Sequence, residues 1–254
     1  NILYNSIDSI VEIKLNRPEV LNSFNFQMAD EVLHALDRCN NSQNIRAVIL
    51  SGVGRAFCAG QDLEEVTNNE GPSINEIINH TYNPLVKKIK AIKKPIICFV
   101  NGIAAGAGAN LSICCDVTFA AKSAKFIQSF INIGLVPDSG GTYYLPRIIG
   151  AQKAAGLMLS GEKISSEDAE KIGMIYRCVE DDNGYEIALN FAKKLSKMPT
   201  KSIGLIKELL NKSYENNLED QLDLEKKLQT IASASEDYKE GVKAFKEKRN
   251  PNFI

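Results

Sequence analysis

Short apolar runs alternate with segments of helical spacing through the first two-thirds of the chain. Ser9–Asn16 alternates apolar and polar residues as a strand does. Three short apolar runs are typical of buried strands: Ala47–Leu50, Ile96–Val100 and Val117–Ala120. Asn25–Asn40 instead has its apolar residues at helical spacing. This alternation of strands and helices predicts an α/β fold.

Helices dominate the rest of the prediction. One is expected over about Ile74–Ile92, after a polar segment, Thr67–Pro72, that we interpret as a loop. A short strand is expected near Met174–Val179, and Pro199 starts a further helix. The charged tail Leu218–Lys248 is also predicted to be largely helical. It is too apolar for a solvated spacer, so we expect it to pack on the core or, as we favour, on a neighbouring subunit. Its apolar residues are Leu222, Leu224, Leu228, Ile231, Tyr238, Val242 and Phe245.

Composition narrows the class of protein. The chain has 254 residues, 44% of them hydrophobic and 24% charged, which is enough to bury a core without a metal or a disulfide. We expect one main domain with an appendage. The net charge of −1 provides no general attraction for nucleic acid or for anionic membranes. The six cysteines form no CxxC pair and mostly lie in apolar runs, which is typical of reduced thiols in a cytoplasmic protein. No apolar run is long enough to span a membrane.

Three glycine-rich segments carry the candidate chemistry. Arg55–Leu63 and Asn101–Asn110 each follow a predicted strand, and small residues there would let a ligand approach the backbone. N–H groups that enter a following helix have no partner and can bind developing negative charge. Two such turns could form an oxyanion hole.

The third segment, Gly134–Thr142, contains a single carboxylate, Asp138. Leu135, Val136 and Pro137 precede it, and desolvation by such neighbours would raise its pKa towards the range useful to a general base. The alternative is that Asp138 caps the turn before Tyr143. The residues alone leave both interpretations open.

Other motifs favour structural roles. Gly106-Ala107-Gly108 is followed by Leu111 where a dinucleotide fingerprint needs its third glycine, and the chain has no P-loop motif. His34 and His80 have no nucleophile motif beside them, so a catalytic triad is not expected. We interpret Asp62 as a helix cap and Asp116 as a helix-stop or turn residue. No cluster has the spacing of metal ligands, and no metal is predicted.

Four segments together resemble the crotonase, or enoyl-CoA hydratase/isomerase, superfamily: Arg55–Leu63, Asn101–Asn110, Gly134–Arg147 and Ala244–Arg249. The resemblance covers essentially the whole chain. It implies an α/β crotonase (ClpP-like) spiral of repeated β-β-α units over residues 1–196. Residues 197–254 would form a helical region for oligomerisation, as a trimer or dimer of trimers, and for completing the active site. The implied substrate is an acyl-CoA thioester, with no cofactor besides the CoA that the substrate carries.

The resemblance also assigns roles by motif position. The backbone N–H groups of Gln61 and Ala107 would hold the thioester oxygen and stabilise an enolate. Lys248 would be a phosphate partner, donated in some assemblies by a neighbouring subunit. The implied substrate and CoA contacts are Glu19, Val20, Ala59, Gln61, Asp62, Leu63, Phe130, Phe245 and Lys248.

Departures from the family pattern indicate the reaction. Hydratases of the family activate water between two glutamates, and those positions match Asn110 and Phe130, neither of which can act as a base. Asp138 falls where several family isomerases carry their catalytic aspartate. Within the family, the chain most resembles the isomerases of phenylacetate catabolism that act on a ring epoxide. We therefore expect an isomerase, acting on that epoxide to form an oxepin or shifting a double bond from 3-enoyl-CoA to 2-enoyl-CoA. The alternatives are an enoyl-CoA hydratase of fatty-acid metabolism and a non-catalytic paralogue that binds acyl-CoA or RNA.

Overall fold

Two sheets form the frame of the molecule in a computed structural model that describes residues 1–67 and 71–253. The larger sheet has the strand order β1-β2-β3-β5-β7-β10, and the smaller has the order β4-β6-β8-β9. The strands are β1 (Ile2–Ile7), β2 (Ile10–Leu15), β3 (Ala47–Gly52), β4 (Ala56–Cys58), β5 (Ile96–Val100), β6 (Ile103–Ala105), β7 (Val117–Ala121), β8 (Lys125–Ile127), β9 (Lys163–Ser165) and β10 (Arg177–Val179). The predicted strands around β2, β3, β5, β7 and β10 are confirmed.

Helices cover these sheets and form the C-terminal region. They are α1 (Phe26–Asn41), α2 (Leu63–Thr67), α3 (Ile74–Ile77), α4 (Asn83–Ala91), α5 (Ala107–Cys114), α6 (Gly141–Ile149), α7 (Ala151–Ser160), α8 (Ser166–Lys171), α9 (Gly184–Ser196), α10 (Thr200–Lys212), α11 (Leu218–Ser233) and α12 (Glu236–Glu247). The predicted helix at Asn25–Asn40 is confirmed as α1, with Asn25 as its N-cap accepting from the Met28 N–H at 2.9 Å. The predicted loop Thr67–Pro72 lies partly outside the described residues.

A repeated unit explains how the turns come together. In three consecutive pairs, β3–β4, β5–β6 and β7–β8, the first strand joins the large sheet and the second joins the small one, and helical segments follow each pair. β4, β6 and β8 are parallel neighbours, so their carboxyl ends lie side by side at one edge of the small sheet. The spiral of β-β-α units implied by the sequence is therefore present, and it places the glycine turns together.

Apolar runs become the central strands because they are covered on both faces. Every residue of β3 and β5 is buried, as expected for parallel strands between helical layers. Five of the six cysteines are also buried: Cys39, Cys58, Cys98, Cys114 and Cys115. They pack in the core as small apolar side chains, as predicted.

The predicted helix Ile74–Ile92 contains a change of pitch. α3 and α4 are joined by a π-helical turn at Ile78–Tyr82, and the N–H of Asn83 bonds to the carbonyl of Ile78, five residues earlier. Ser73 starts the segment with a capping box, in which it and Glu76 bond to each other's backbone N–H. The position of the π-turn was not predicted.

In the C-terminal region, α10 packs on a helix of the core, and each later helix packs on the one before it. α10 packs on α4, α11 packs on α10, and α12 packs on α11. The predicted continuous tail is interrupted before α12, where Ser235 caps the new helix by accepting from the Tyr238 N–H at 3.1 Å. Several large apolar side chains remain exposed on these last two helices: Leu218, Leu222, Ile231, Tyr238, Val242 and Phe245. The division at residues 196 and 197, between α9 and α10, stays a prediction, as does the subunit contact. No helix in the two described ranges is both long and apolar enough to cross a bilayer.

Candidate active site

The turns after β4 and β6 touch because glycines let their backbones approach. A Cβ added at Gly108 would lie 2.7 Å from the Cβ and 2.8 Å from the Sγ of Cys58, so only glycine fits there. A Cβ added at Gly60 would lie 3.2 Å from the carbonyl oxygen of Ala105 and 3.7 Å from the amide nitrogen of Ala107. The backbone just before Gln61 therefore lies beside the amide of Ala107.

Backbone pairing sets the direction of the Gln61 N–H. The Phe24 N–H donates to the carbonyl of Gly60 at 2.7 Å, and the Asp62 N–H donates to the carbonyl of Phe24 at 2.8 Å. These two bonds occupy one side of the segment. The N–H of Gln61 belongs to the same trans peptide group as the carbonyl of Gly60, and the two point in opposite directions, so the N–H of Gln61 points away from Phe24.

The Ala107 N–H is unpaired for a different reason. Gly106 precedes α5 with φ of 52°, and its own N–H donates to the carbonyl of Ile127 at 2.9 Å. Ala107 is the first residue of α5, where amides have no acceptor within the helix. Among the described residues, no backbone bond outside the helices and strands uses the Gln61 or the Ala107 N–H, and neither the bridge to Phe24 nor the first turn of α5 uses them. Two neighbouring free donors can hold a developing oxyanion.

Asp138 lies in a tight turn and its side chain does not cap α6. The carbonyl oxygen of Asp138 accepts from the Gly141 N–H at 2.8 Å, and its carboxylate accepts from the Ser139 hydroxyl at 2.8 Å. The N-cap of α6 is Gly140, which has no side chain to bond the helix N–H groups. The backbone at Asp138 thus makes the turn and leaves the carboxylate available. This geometry favours the base over the capping alternative.

Burial raises the pKa of Asp138 above its ordinary value of 3.8, and the hydrogen bond from Ser139 offsets part of that rise. The direction and its cause, desolvation, agree with the prediction, but two of the three neighbours that were expected to supply it do not. Val136 is 81% exposed and Leu135 is also exposed, so the preceding apolar residues do not enclose the carboxylate within one chain.

Asn110 holds the turn that carries Asp138. It is fully buried, its Nδ2 donates to the Asp138 carbonyl at 2.9 Å, and its Oδ1 accepts from Gln128 Nε2 at 2.9 Å. A Cβ at Gly141 would lie 2.6 Å from Asn110 Cγ, so the amide packs directly on that glycine. Sequence reasoning identified Asn110 as a residue that cannot act as a base, but missed its positioning contact, because the partner is 28 residues away.

Phe130 presents an apolar ring beside the second turn. It is 7% exposed, and a Cβ at Gly106 would lie 3.8 Å from the edge of its ring. At the two positions that the resemblance matched to hydratase glutamates, the site therefore has a phenyl ring and a side-chain amide whose nitrogen and oxygen are both hydrogen-bonded. Neither exchanges protons.

The predicted CoA-contact residues near the first turn lie together. Glu19 and Val20 belong to a 3₁₀ turn at Pro18–Val20, which is tied to the site because Arg17 pairs with Asp62 at 2.7 Å. The Ala59 N–H donates to the carbonyl of Leu21 at 3.0 Å, next to that turn. Asp62 also accepts from the Glu64 N–H at 3.1 Å, which confirms its predicted capping role, and Leu63 is exposed.

The remaining two CoA-contact candidates lie at the end of α12. Phe245 is 86% exposed, and Lys248 follows the helix as its left-handed cap residue with φ of 53°. A phenyl ring that is so exposed has no cover within one chain. Their predicted contact with CoA stays a prediction.

The other titratable candidates have structural partners. Asp116 accepts from the Ile96 N–H at 2.8 Å and pairs with Lys207 at 2.6 Å, which agrees with a structural role. His80 pairs with Asp30 at 3.2 Å, and His34 lies on an exposed position of α1. Among residues 1–67 and 71–253, no group of three histidine, cysteine or acidic side chains is placed to hold a metal ion.

Comparisons with known proteins agree with this geometry. Residues 5–254 match the family described as Enoyl-CoA hydratase/isomerase. The chain is 44% identical over 247 residues to 1,2-epoxyphenylacetyl-CoA isomerase of Escherichia coli (strain K12), covering 96% of this chain and 94% of that protein. It is 41% identical over 252 residues to a Rhodobacter capsulatus protein named "Probable enoyl-CoA hydratase", covering 99% and 97% of the two chains. The crystal structure of enoyl-CoA hydratase from Bacillus anthracis superposes with a TM-score of 0.93 at 32% identity, covering 100% and 98%. These matches confirm the predicted crotonase fold.

Proposed function

The chain belongs to the enoyl-CoA hydratase/isomerase family, and we propose that within this family it is an acyl-CoA isomerase that uses Asp138 as its only base. The observation that carries the proposal is the distribution of proton acceptors around the turns. Asp138 has an available carboxylate, whereas Asn110 and Phe130 occupy the positions matched to the two hydratase glutamates. One base and an oxyanion hole suffice to move a proton between two carbons.

In the proposed reaction, the Asp138 carboxylate removes a proton from the acyl chain. The electron pair that this releases moves towards the thioester, whose oxygen gains negative charge and accepts from the N–H groups of Gln61 and Ala107. The proton on Asp138 then returns to a different carbon, so the atoms balance without a cofactor or water. Each preorganised donor of this kind typically contributes about 3 kcal/mol to lowering the barrier.

The raised pKa of Asp138 fits this role. A general base works best when its pKa approaches the working pH, and an ordinary aspartate is too weak a base. The Asn110 contact fixes the backbone of the turn, so the carboxylate needs little reorganisation when substrate binds.

The acyl group that we propose follows from the apolar surroundings. Phe130 makes the site drier than a glutamate would and offers a ring face for an aromatic or unsaturated acyl chain. The similarity to 1,2-epoxyphenylacetyl-CoA isomerase supports the ring epoxide of phenylacetyl-CoA as substrate, converted to an oxepin. In that conversion the carbon–carbon bond shared by the epoxide and the six-membered ring also breaks to give the seven-membered ring, and the proton returns to a ring carbon. A shift of a 3-enoyl-CoA double bond to the 2-enoyl position uses the same residues.

The proposal includes a trimer or a dimer of trimers in which α12 completes the site. Glu19, Val20, Ala59 and Leu63 would contact CoA from one chain. Phe245 would cover the adenine or pantetheine portion and Lys248 would bind phosphate, supplied by the same or a neighbouring subunit. The exposed ring of Phe245 supports this assembly, because such a surface is normally covered.

Proton NMR in deuterated water tests the reaction class. We expect the protein to move the double bond of 3-hexenoyl-CoA and to exchange acyl protons with solvent, while forming little 3-hydroxybutyryl-CoA from crotonyl-CoA. Asp138→Asn should abolish both the shift and the exchange. Asp223→Asn on exposed α11 is the matched control and should leave both unchanged. Full activity of a folded Asp138→Asn variant would refute the mechanism, and rapid hydration of crotonyl-CoA would identify a hydratase.

A further inference from the structure

A buried tyrosine is bound to the side chain of a proposed oxyanion-hole residue. Tyr82 is 1% exposed, and its hydroxyl donates to Gln61 Oε1 at 2.8 Å. The amide of Gln61 continues the chain, because its Nε2 donates to Glu65 Oε2 at 2.9 Å. Glu65 Oε1 in turn accepts from the N–H of Phe26, the first residue of α1, at 3.1 Å. Both polar atoms of the Gln61 side-chain amide are therefore hydrogen-bonded.

The π-turn explains why a tyrosine reaches this place. Pro84 has no N–H, and in a regular α-helix its ring would clash with the carbonyl four residues earlier, at His80. The chain widens to a π-turn over Ile78–Tyr82, in which Asn83 bonds five residues back instead. Such turns shift the faces of the residues around them and are frequent at functional sites. Tyr82, the last residue of the turn, is thereby buried against the first glycine segment.

Burial and nearby negative charge keep the Tyr82 hydroxyl protonated, so it acts as a hydrogen-bond donor. Burial, and then the neighbouring Cys58, Asp138, Glu65 and Asp62, raise the pKa of Tyr82 well above 10. A hydroxyl that stays protonated fixes Gln61 Oε1 as the acceptor and Nε2 as the donor to Glu65.

We propose that Tyr82 is a positioning residue of the oxyanion hole, acting through the side chain of Gln61. This inference rests on the proposed function, since it assumes that the Gln61 N–H binds the thioester oxygen. Phe24 holds the peptide groups on either side of Gln61, but Gly60, with φ of 101°, is a pliable entry to the segment. The hydrogen bonds from Tyr82 and to Glu65 fix the side chain of Gln61 and thereby limit the movement of its backbone. They also keep the side-chain Oε1 of Gln61 bonded to the Tyr82 hydroxyl, so that this acceptor does not compete for the two free N–H groups.

Tyr82→Phe removes only the hydroxyl and keeps the ring in the core. Because deleting an oxyanion donor outright costs about 100-fold to 1,000-fold in kcat, we expect its misplacement to cost about tenfold, with KM changed less than twofold. Gln61→Met retains the backbone N–H and the length of the side chain but lacks the amide. If Tyr82 acts through that amide, Tyr82→Phe/Gln61→Met should be no slower than the slower single variant. Additive losses in the double variant would overturn the proposal.

Tyr185→Phe is the matched control, since that hydroxyl donates to Glu12 in the large sheet. It should leave kcat unchanged. A second measurement does not depend on the base: the ¹³C shift of a labelled thioester carbonyl in bound hexanoyl-CoA. Polarisation by the oxyanion hole should move this signal downfield in the wild type and less so in Tyr82→Phe, whereas Tyr185→Phe should match the wild type.

The two readouts separate the possible failures. An unchanged carbonyl shift and unchanged kcat in Tyr82→Phe would refute the positioning role and leave the proposed function intact. Conversely, wild-type proton exchange in Asp138→Asn would refute the proposed function, while a reduced carbonyl shift in Tyr82→Phe would still show that Tyr82 positions the hole.

Discussion

Gly141→Ala should impair proton transfer although it adds a single methyl group far from the substrate carbonyl. Gly141 starts α6 with a backbone conformation open to any residue, so alanine brings no backbone strain. Its Cβ, however, would lie 2.6 Å from Asn110 Cγ and 2.7 Å from Oδ1, where ordinary contact begins near 3.4 Å. Asn110 Nδ2, the atom that bonds the Asp138 carbonyl, would lie nearer still, so the buried amide must retreat by about 1 Å, which stretches that bond.

The expected magnitude follows from this displacement. Misplacing a catalytic group by about 1 Å can cost on the order of 100-fold, so we expect kcat to fall by about 10-fold to 100-fold. Overpacking of a core site typically costs about 1–3 kcal/mol, which should lower the free energy of unfolding by that amount. The rate is measured by exchange of acyl protons of 3-hexenoyl-CoA in deuterated water, and stability by urea denaturation.

Gly156→Ala provides the matched control, because it lies in α7 with nothing within 4 Å of its added Cβ. This variant should keep the wild-type rate and gain about 0.5–1 kcal/mol from reduced freedom of the unfolded chain. Asn110→Ala/Gly141→Ala should be no slower than Asn110→Ala, since both changes act on the same contact. If Gly141→Ala exchanged protons at the wild-type rate and were as stable as Gly156→Ala, Asn110 would not position the base.

Four further predictions concern Asp138, the buried Lys207 and the C-terminal helix. Activity should fall as the pH drops through the raised pKa of Asp138, because the protonated carboxyl cannot accept a proton; a flat profile down to pH 4 would contradict this. A raised pKa also means that the charged carboxylate disfavours folding above that pKa, so Asp138→Asn should be more stable than the wild type at pH 7 and lose this advantage near pH 4 in urea titrations. Lys207→Met should cost about 1–3 kcal/mol, because the buried carbonyl of Lys94 loses the donor Nζ that lies 2.9 Å away, while kcat of the folded protein stays unchanged; a loss of kcat would show that the ion pair of Lys207 with Asp116 serves the site. Phe245→Ser should raise KM and reduce the mass found by light scattering, whereas wild-type mass and KM would exclude α12 from the interface and the site.

The fold was largely predictable because the apolar pattern is strong where strands are buried. Residues of β3 and β5 are covered on both faces, so their sequences are continuous apolar runs. β1 was missed because it is an edge strand, in which Leu3, Asn5 and Ser6 are exposed and the alternation is weak. The π-turn was missed because the sequence signal, Pro84 within an otherwise regular helical pattern, predicts a disturbance without giving its form.

The glycine turns of the candidate site were predictable from the sequence, but the contacts that support them were not. The local sequence predicts the glycine turns, because a close approach of two backbones requires glycines such as Gly60 and Gly108. The contacts that hold Asp138 and Gln61 join residues that are 28 and 21 positions apart, and no local pattern encodes such a pairing. The same limit explains the error over Leu135 and Val136, because adjacency in sequence does not say which side chains enclose a carboxylate.

An asparagine at position 110, in place of a hydratase glutamate, affects both the chemistry of that position and the turn that carries Asp138. A glutamate there could activate water, but its carboxylate could not donate an N–H to the Asp138 carbonyl while accepting from Gln128. In the proposed isomerase, the Asn110 amide therefore cannot activate water for hydration, and it fixes the turn that carries Asp138. Tyr82 and Gln61 make the corresponding arrangement on the opposite side, where a protonated hydroxyl fixes a second amide. In both places a neutral hydrogen-bonding group positions the reacting group beside it, and this leaves Asp138 as the proton carrier of the proposed isomerisation.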